Sequence, residues 1–198
     1  MKLYITPGSP YARMVRIFVI EKKLESRVEV IVAQTRAAGS PYYAINPSGR
    51  VPYLVRDDGV GIEESALICA YLDQMDRRPL FERPPLEAQR LEALARSLMD
   101  GLAVWGRELT RPPHERSPGV IAHEAERSRR MASLWEQEIE HPLMRGSFNM
   151  AQLTLACALG MEARNRDLDW RRGQAKLVAW FDEQRKRPSF AATSPPTQ

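Results

Sequence analysis

Cysteine is scarce in this chain: Cys69 and Cys157 are the two in 198 residues, far apart, each inside an expected helix. Such a pair builds neither a disulfide framework nor a thiolate metal centre. Two buried thiols in a reduced compartment are expected, with no metal. Long apolar runs are also missing. No stretch approaches the roughly 18 residues of a membrane span, and residues 1–8 lack the apolar core of a signal peptide, reading instead as a strand entering a turn. A cytoplasmic protein with no membrane association is expected. Repeats and low-complexity segments are absent. Nor is charge of one sign concentrated: 29 Lys and Arg against 25 Asp and Glu leave +4. The basic residues are interleaved with acids, as in Glu124-Ala125-Glu126-Arg127-Ser128-Arg129-Arg130. On a helix that is a solvated face with local ion pairs, which argues against a nucleic-acid partner. The net positive surface still favours an anionic ligand.

The stretch 46–65 is the most informative. Asn46-Pro47 and Ser48-Gly49 are turn dipeptides. Pro52 opens a short apolar run to Val55, a place where a strand tolerates its missing N–H. Asp57-Asp58-Gly59 reads as a hairpin turn into a second strand. Glu64-Ser65 precedes Ala66, Leu67, Ile68, Ala70 and Leu72, which suits a helix start. Backbone groups at Val51 can pair with an extended peptide, and N–H groups at Ser65 favour an anion.

Ahead of this stretch, residues 2–6 read as a strand, and Ser9-Pro10 as an N-cap with proline at the first helical position. Met14, Val15, Ile17, Phe18 and Ile20 give that helix a broad apolar face, ending near Lys23-Leu24. Residues 27–33 form a second strand, so strand, helix, strand calls for a right-handed parallel crossover. Residues 35–43 are loop or a short helical turn. Pro79, Pro84 and Pro85 mark a linker. Beyond it no strand pattern recurs. Helices are expected over 86–109, from Ser117-Pro118 to about 140, over 149–163 and over 174–187, followed by a loosely packed tail from Ser194. The helix after Asn149 is apolar over most of its surface and belongs in a core. Asn149 caps it, and Gln152 at the third position can close a capping box.

The order and spacing of Val51-Pro52 and Glu64-Ser65 resemble the glutathione-binding stretch of the glutathione transferase family. The resemblance covers nearly the whole chain. It implies a thioredoxin-like α/β N-terminal domain (1–78), a linker (79–86) and an all-α C-terminal domain (87–198). Asn149-Met150-Ala151-Gln152 stands where the family usually has Ser/Thr-x-x-Asp. In the family, the residue before a cis-proline pairs with the cysteinyl backbone of glutathione, a role that falls on Val51 with Pro52. An acid-Ser pair holds the γ-glutamyl end, here Glu64 and Ser65. The implied activity is that of a glutathione transferase in detoxification. It conjugates glutathione, as cosubstrate, to a small electrophile and works as a homodimer. The dimer surface would come from the helix after Ser65 and the helix after Leu86.

Catalysis in such an enzyme lowers the thiol pKa of glutathione from near 8.5, since the thiolate is the nucleophile. Ser9, in Ser9-Pro10-Tyr11-Ala12, stands where redox relatives carry cysteine, and its hydroxyl and the helix N–H groups can face the sulfur. Thiol–disulfide exchange through a protein thiol is not expected at a serine. Tyr4, Thr6 and Tyr11 are the other hydroxyls to consider, and Arg13 and Arg50 the cations for a glutathione carboxylate. The resemblance places the acceptor pocket between the domains, at Trp105, Arg107 and Glu108; Leu98, Met99 and Trp105 also sit at core spacing. Two rival readings share the fold. One is a glutathione- or protein-binding scaffold with little catalysis. The other is a glutathione-dependent isomerase, whose relatives show Ser-Ser-Cys where this chain has Pro7-Gly8-Ser9-Pro10.

Overall fold

The computed structural model describes residues 1–75, 85–164 and 167–195. They divide into two compact units, one running from Met1 and including residues 192–195, the other ending at Ala191. Pro79 and Pro84 of the expected linker, and Pro196, Thr197 and Gln198 of the expected tail, lie outside the described residues.

The first unit is built on a four-stranded sheet. Lys2–Ile5 (β1) runs parallel to Glu29–Val32 (β2), with Leu3 opposite Val30 and Tyr4 opposite Ile31. On its other side β1 pairs antiparallel with Tyr53–Val55 (β3), and β3 with Gly61–Glu63 (β4), giving the order β2-β1-β3-β4. The β3–β4 turn falls at Asp57-Asp58-Gly59: Gly59 takes φ +84°, and Asp58 Oδ1 accepts from the Val60 amide at 3.1 Å. Strand alternation sorts the side chains. Leu3, Ile5 and Leu54 are buried on one face. Tyr4 lies on the other, clustered with Ala33 and Tyr42.

Pro10–Glu21 (α1) covers the Leu3 face, where its Val19 and Ile20 share a depression with Val28 and Val30. Its Met14, Val15, Ile17 and Phe18 are fully buried. The helix ends two residues before the expected end, and no glycine marks the stop. Lys23 adopts φ +55° instead, so that its own amide reaches the Ile20 carbonyl at 3.0 Å and the Leu24 amide the Val19 carbonyl at 2.8 Å. Tyr42–Ile45 (α2) packs on the opposite face, later than the expected 35–43 turn. Ser65–Asp73 (α3) packs against α1.

Among the described residues, the regular elements of the second unit are all helices. Leu86–Leu109 (α4) and Pro118–Glu138 (α5) have the expected bounds to within two residues, and Ser117 Oγ caps α5 from the Val120 amide. A short Pro142–Arg145 (α6) follows, capped by His141 Nδ1, where a break alone was expected. Met150–Leu159 (α7) buries all of its residues but the first. Its last turn tightens into a 3-10 helix at Gly160–Ala163, so the α-helix is shorter than expected. Ala175–Gln184 (α8) also stops early, because Pro188 opens a separate helix, Pro188–Ala192 (α9). Trp170 meets Phe181 edge-on at 5.3 Å and donates from Nε1 to the Leu159 carbonyl at 3.2 Å. Among the described residues, no helix is long and apolar enough to cross a membrane.

Candidate functional site

The site begins at the turn before β3. The Tyr42 hydroxyl donates to the Arg50 carbonyl, and Asn46 Nδ2 reaches the same oxygen at 3.0 Å. Asn46 Oδ1 accepts from the Ser48 amide at 3.1 Å, and Ser48 Oγ accepts from the Arg50 amide at 3.1 Å while donating to Glu63 Oε1 at 2.5 Å. Gly49 takes φ +67°, and a Cβ there would come within 2.9 Å of the Tyr43 ring. The turn is thus held from α2 and β4 together. Immediately after it the Val51-Pro52 peptide is cis. Val51 packs against the Tyr4-Ala33-Tyr42 cluster, and its own N–H and C=O have no hydrogen-bond partner among the described residues. A strapped turn thus ends on one residue whose backbone remains available for pairing.

Glu64 caps α3 with an unusual backbone, φ +78° and ψ 117°, and its Oε1 accepts from the Ser65 amide at 3.1 Å. A non-glycine residue in that region costs on the order of 1–3 kcal/mol. The conformation aims a carboxylate at the positive end of a helix. Ser65 is fully buried, with Oγ 4.0 Å from Met14 Sδ. Glu64 therefore covers the Ser65 amide at the start of α3.

Ser9 is the N-cap of α1. Its Oγ accepts from the Ala12 amide at 3.2 Å, and its own amide donates to the Thr6 carbonyl at 3.1 Å. The bond to Ala12 uses a lone pair, so the hydroxyl hydrogen remains for another acceptor. Tyr4 has a different setting. Its ring lies 5.5 Å from that of Tyr42, tilted by 39°, on the sheet face opposite α1. Arg13 Nε lies 3.4 Å from Thr193 Oγ1, so this cation is turned toward the C-terminal segment of the first unit.

Comparison with known proteins adds independent support. The model of the glutathione S-transferase N-terminal domain matches residues 8–75. The uncharacterized GST-like protein YibF of Escherichia coli K12 is 31% identical over 202 residues, covering 99% of each chain. The chain belongs to the glutathione S-transferase family. Two crystal structures of a glutathione transferase family member from Pseudomonas fluorescens Pf-5 are similar throughout. One, with bound glutathione, is 32% identical over 99% of both chains with a TM-score of 0.89. The other, with bound S-(propanoic acid)-glutathione, is 33% identical over 100% of both chains with a TM-score of 0.87. The thioredoxin-like sheet followed by a helical region is the fold of this family.

In this member of the family, Val51, Pro52, Glu64, Ser65 and Ser9 all lie in the first unit, on the ends of β3, α3 and α1. Trp105, Arg107 and Glu108 lie on α4 of the second. Trp105 is buried and Arg107 exposed, and residues two apart on a helix do not share a face. Glu108 is engaged in the scaffold: Oε2 accepts from the Ser117 amide at 2.9 Å, and Oε1 pairs with Arg111 at 3.1 Å. The strap of Tyr42, Asn46 and Ser48 was not singled out from sequence. Asn46 and Ser48 stood in plain view as turn residues, but their partners Arg50 and Glu63 emerge only when the strands are paired. The open depressions of about 290 and 260 Å³ in the first unit are lined from β2 with α2 and with α1. Neither includes any of the five residues named for glutathione, whose geometry is one of backbone groups and charge.

Proposed function

We propose that this chain binds glutathione at the first unit and presents it as a thiolate to a small electrophile. The observation that carries the reading is Val51: a residue before a cis-proline, held by a strapped turn, with backbone N–H and C=O unpaired among the described residues. It would take the cysteinyl backbone of glutathione as a strand takes a neighbour. The γ-glutamyl carboxylate would replace the Glu64 carboxylate at the Ser65 amide, and Glu64 would turn to pair with the γ-glutamyl ammonium. The glutathione bound in the Pseudomonas fluorescens structure supports the assignment.

Ser9 is the proposed catalytic residue. Its hydroxyl hydrogen would donate to the sulfur, and the N-terminus of α1 would add a positive field. Each pKa unit removed from the thiol requires about 1.4 kcal/mol of preference for the thiolate. The thiol proton leaves to solvent, and the sulfur lone pair forms the carbon–sulfur bond. The electrons displaced at the electrophile leave with its leaving group or take up a proton. Of the three α4 residues, Arg107 is the exposed one proposed for the electrophile side, since Trp105 is buried and Glu108 is held by Ser117 and Arg111. The protein is proposed to be cytoplasmic and a homodimer; α3 exposes Leu67 and α4 exposes Leu86, each an apolar surface for a second copy.

The test is calorimetric titration with glutathione of the unaltered protein and of Glu64→Gln. Binding that the substitution weakens about tenfold, or 1.4 kcal/mol, supports the site. No heat of binding up to about 10 mM glutathione, a Kd weaker than roughly −3 kcal/mol, rejects it. Binding without turnover of any electrophile leaves the scaffold reading.

A further inference from the structure

The two helices whose N-termini are assigned to glutathione are joined at their other ends by a buried ion pair. Near the N-termini, Ser65 Oγ of α3 lies 4.0 Å from Met14 Sδ of α1. At the far ends, Lys22 Nζ sits 3.1 Å from Asp73 Oδ1 and 3.4 Å from the Asp73 carbonyl, with side chains 2% and 4% exposed. Lys22 is the C-cap of α1 and Asp73 the last residue of α3. From Met14 to Lys22, and from Ser65 to Asp73, the separation is the same eight residues, or roughly 12 Å of rise on each helix. The helices therefore run parallel, pinned at two levels.

Three physical facts make this pair unusual. A carboxylate in the last turn of a helix opposes the helix dipole. Removing a lysine and an aspartate from water costs about as much as their attraction returns. An apolar pair of similar volume would stabilise the contact as well or better. Stability alone is therefore a poor reason for the pair. Apolar side chains slide past one another, whereas a hydrogen-bonded buried ion pair accepts one register.

We propose that Lys22 and Asp73 are positioning residues: they hold α3 in register on α1 and so set the distance from Ser9 to Glu64 and Ser65. This inference rests on the glutathione reading for its consequence, but not for the register itself.

The experiment compares the unaltered protein with the double variant Lys22→Met/Asp73→Leu, and with Lys22→Met alone. The single variant removes the buried cation that faces the Asp73 carboxylate and is expected to unfold readily; the double variant is expected to recover its denaturation midpoint. Two measurements follow on the double variant. Amide hydrogen exchange without ligand should speed up about tenfold at residues 67–69 of α3 while Leu54 of β3 is unchanged. Calorimetry should show a glutathione Kd raised about tenfold. Unchanged exchange in α3 overturns the proposal whatever glutathione does. Faster exchange with unchanged glutathione affinity overturns it equally, since a recovered midpoint removes instability as a cause. If the unaltered protein binds no glutathione, the proposed function fails, and the exchange result still decides whether the pair sets the register.

Discussion

The N-caps of α1 and α7 use the same local device in opposite surroundings. Ser9 Oγ accepts from the Ala12 amide at 3.2 Å, and Asn149 Oδ1 from the Gln152 amide at 3.1 Å. Around Asn149 the remaining polar groups turn inward. Asn149 Nδ2 donates to the Leu143 carbonyl at 2.7 Å, and Gln152 Nε2 donates to the same oxygen at 2.8 Å, with further contacts to Gly146 and Ser147. This replaces the expected reciprocal half of a capping box. A glutamine amide carries N–H donors that a carboxylate lacks, and the carbonyls of the preceding turn are there to receive them. Around Ser9 the cap makes its single bond and keeps its hydrogen. The difference is a lesson about caps: the residue that starts a helix becomes chemistry only where the surrounding chain leaves it a donor and a way out.

Four substitutions test that contrast. The largest effect is expected at Leu155, fully buried in α7. Leu155→Ala should cost about 2–5 kcal/mol in denaturant unfolding, through lost burial and a cavity. Next is Asn149→Ala, which removes the cap and two further bonds. A loss of about 1–2 kcal/mol is expected with glutathione affinity unchanged; a changed affinity would tie α7 to the site and break the contrast.

Ser9→Ala and Ser117→Ala sharpen it. Each removes a serine cap and should cost about 1 kcal/mol. Only Ser9→Ala should slow conjugation of a model electrophile, by about tenfold or more at pH 7. That deficit should close above roughly pH 9, where glutathione ionises without help. Equal rates for the two variants at pH 7 would remove Ser9 from catalysis.

The smallest effect concerns the strap. Burial pushes the Tyr42 phenol above its ordinary range. The neutral form is thus favoured in the folded protein. Its contribution is complete below about pH 10, where the unfolded phenol titrates, and is lost as pH rises through the higher folded value. Tyr42→Phe should lose about 1 kcal/mol at neutral pH, the hydrogen bond to Arg50, and show a shallower alkaline decline in urea midpoint. An unaltered alkaline slope would mean that the phenol does not hold the turn.

Local chemistry was readable where partners are close in sequence. Ser9-Pro10 and Ser117-Pro118 announced helix starts because a cap and its amide lie three residues apart. Asp57-Asp58-Gly59 announced its turn for the same reason. Helix ends were read less well: Lys23 stops α1 with a left-handed backbone that no glycine advertises. β2 is shorter than residues 27–33 because the Val28 amide is taken by the Leu24 carbonyl, which keeps the chain in a turn. The cis bond at Val51-Pro52 was expected from the family resemblance; nothing in the two residues demands it.

The residues alone settled the alternation of strand and helix, the apolar character of α7, and the pairing of Val51-Pro52 with Glu64-Ser65 along the chain. These depend on periodicity and on contacts a few residues long. Tertiary structure decided which groups those residues meet. It set Tyr42 and Asn46 on one Arg50 carbonyl, turned Gln152 from cap to donor, and brought Lys22 to Asp73 across 51 residues. The reason is physical: such contacts form only after the sheet and helices have excluded water, and it is that exclusion which makes an unmatched charge or amide costly enough to select its partner.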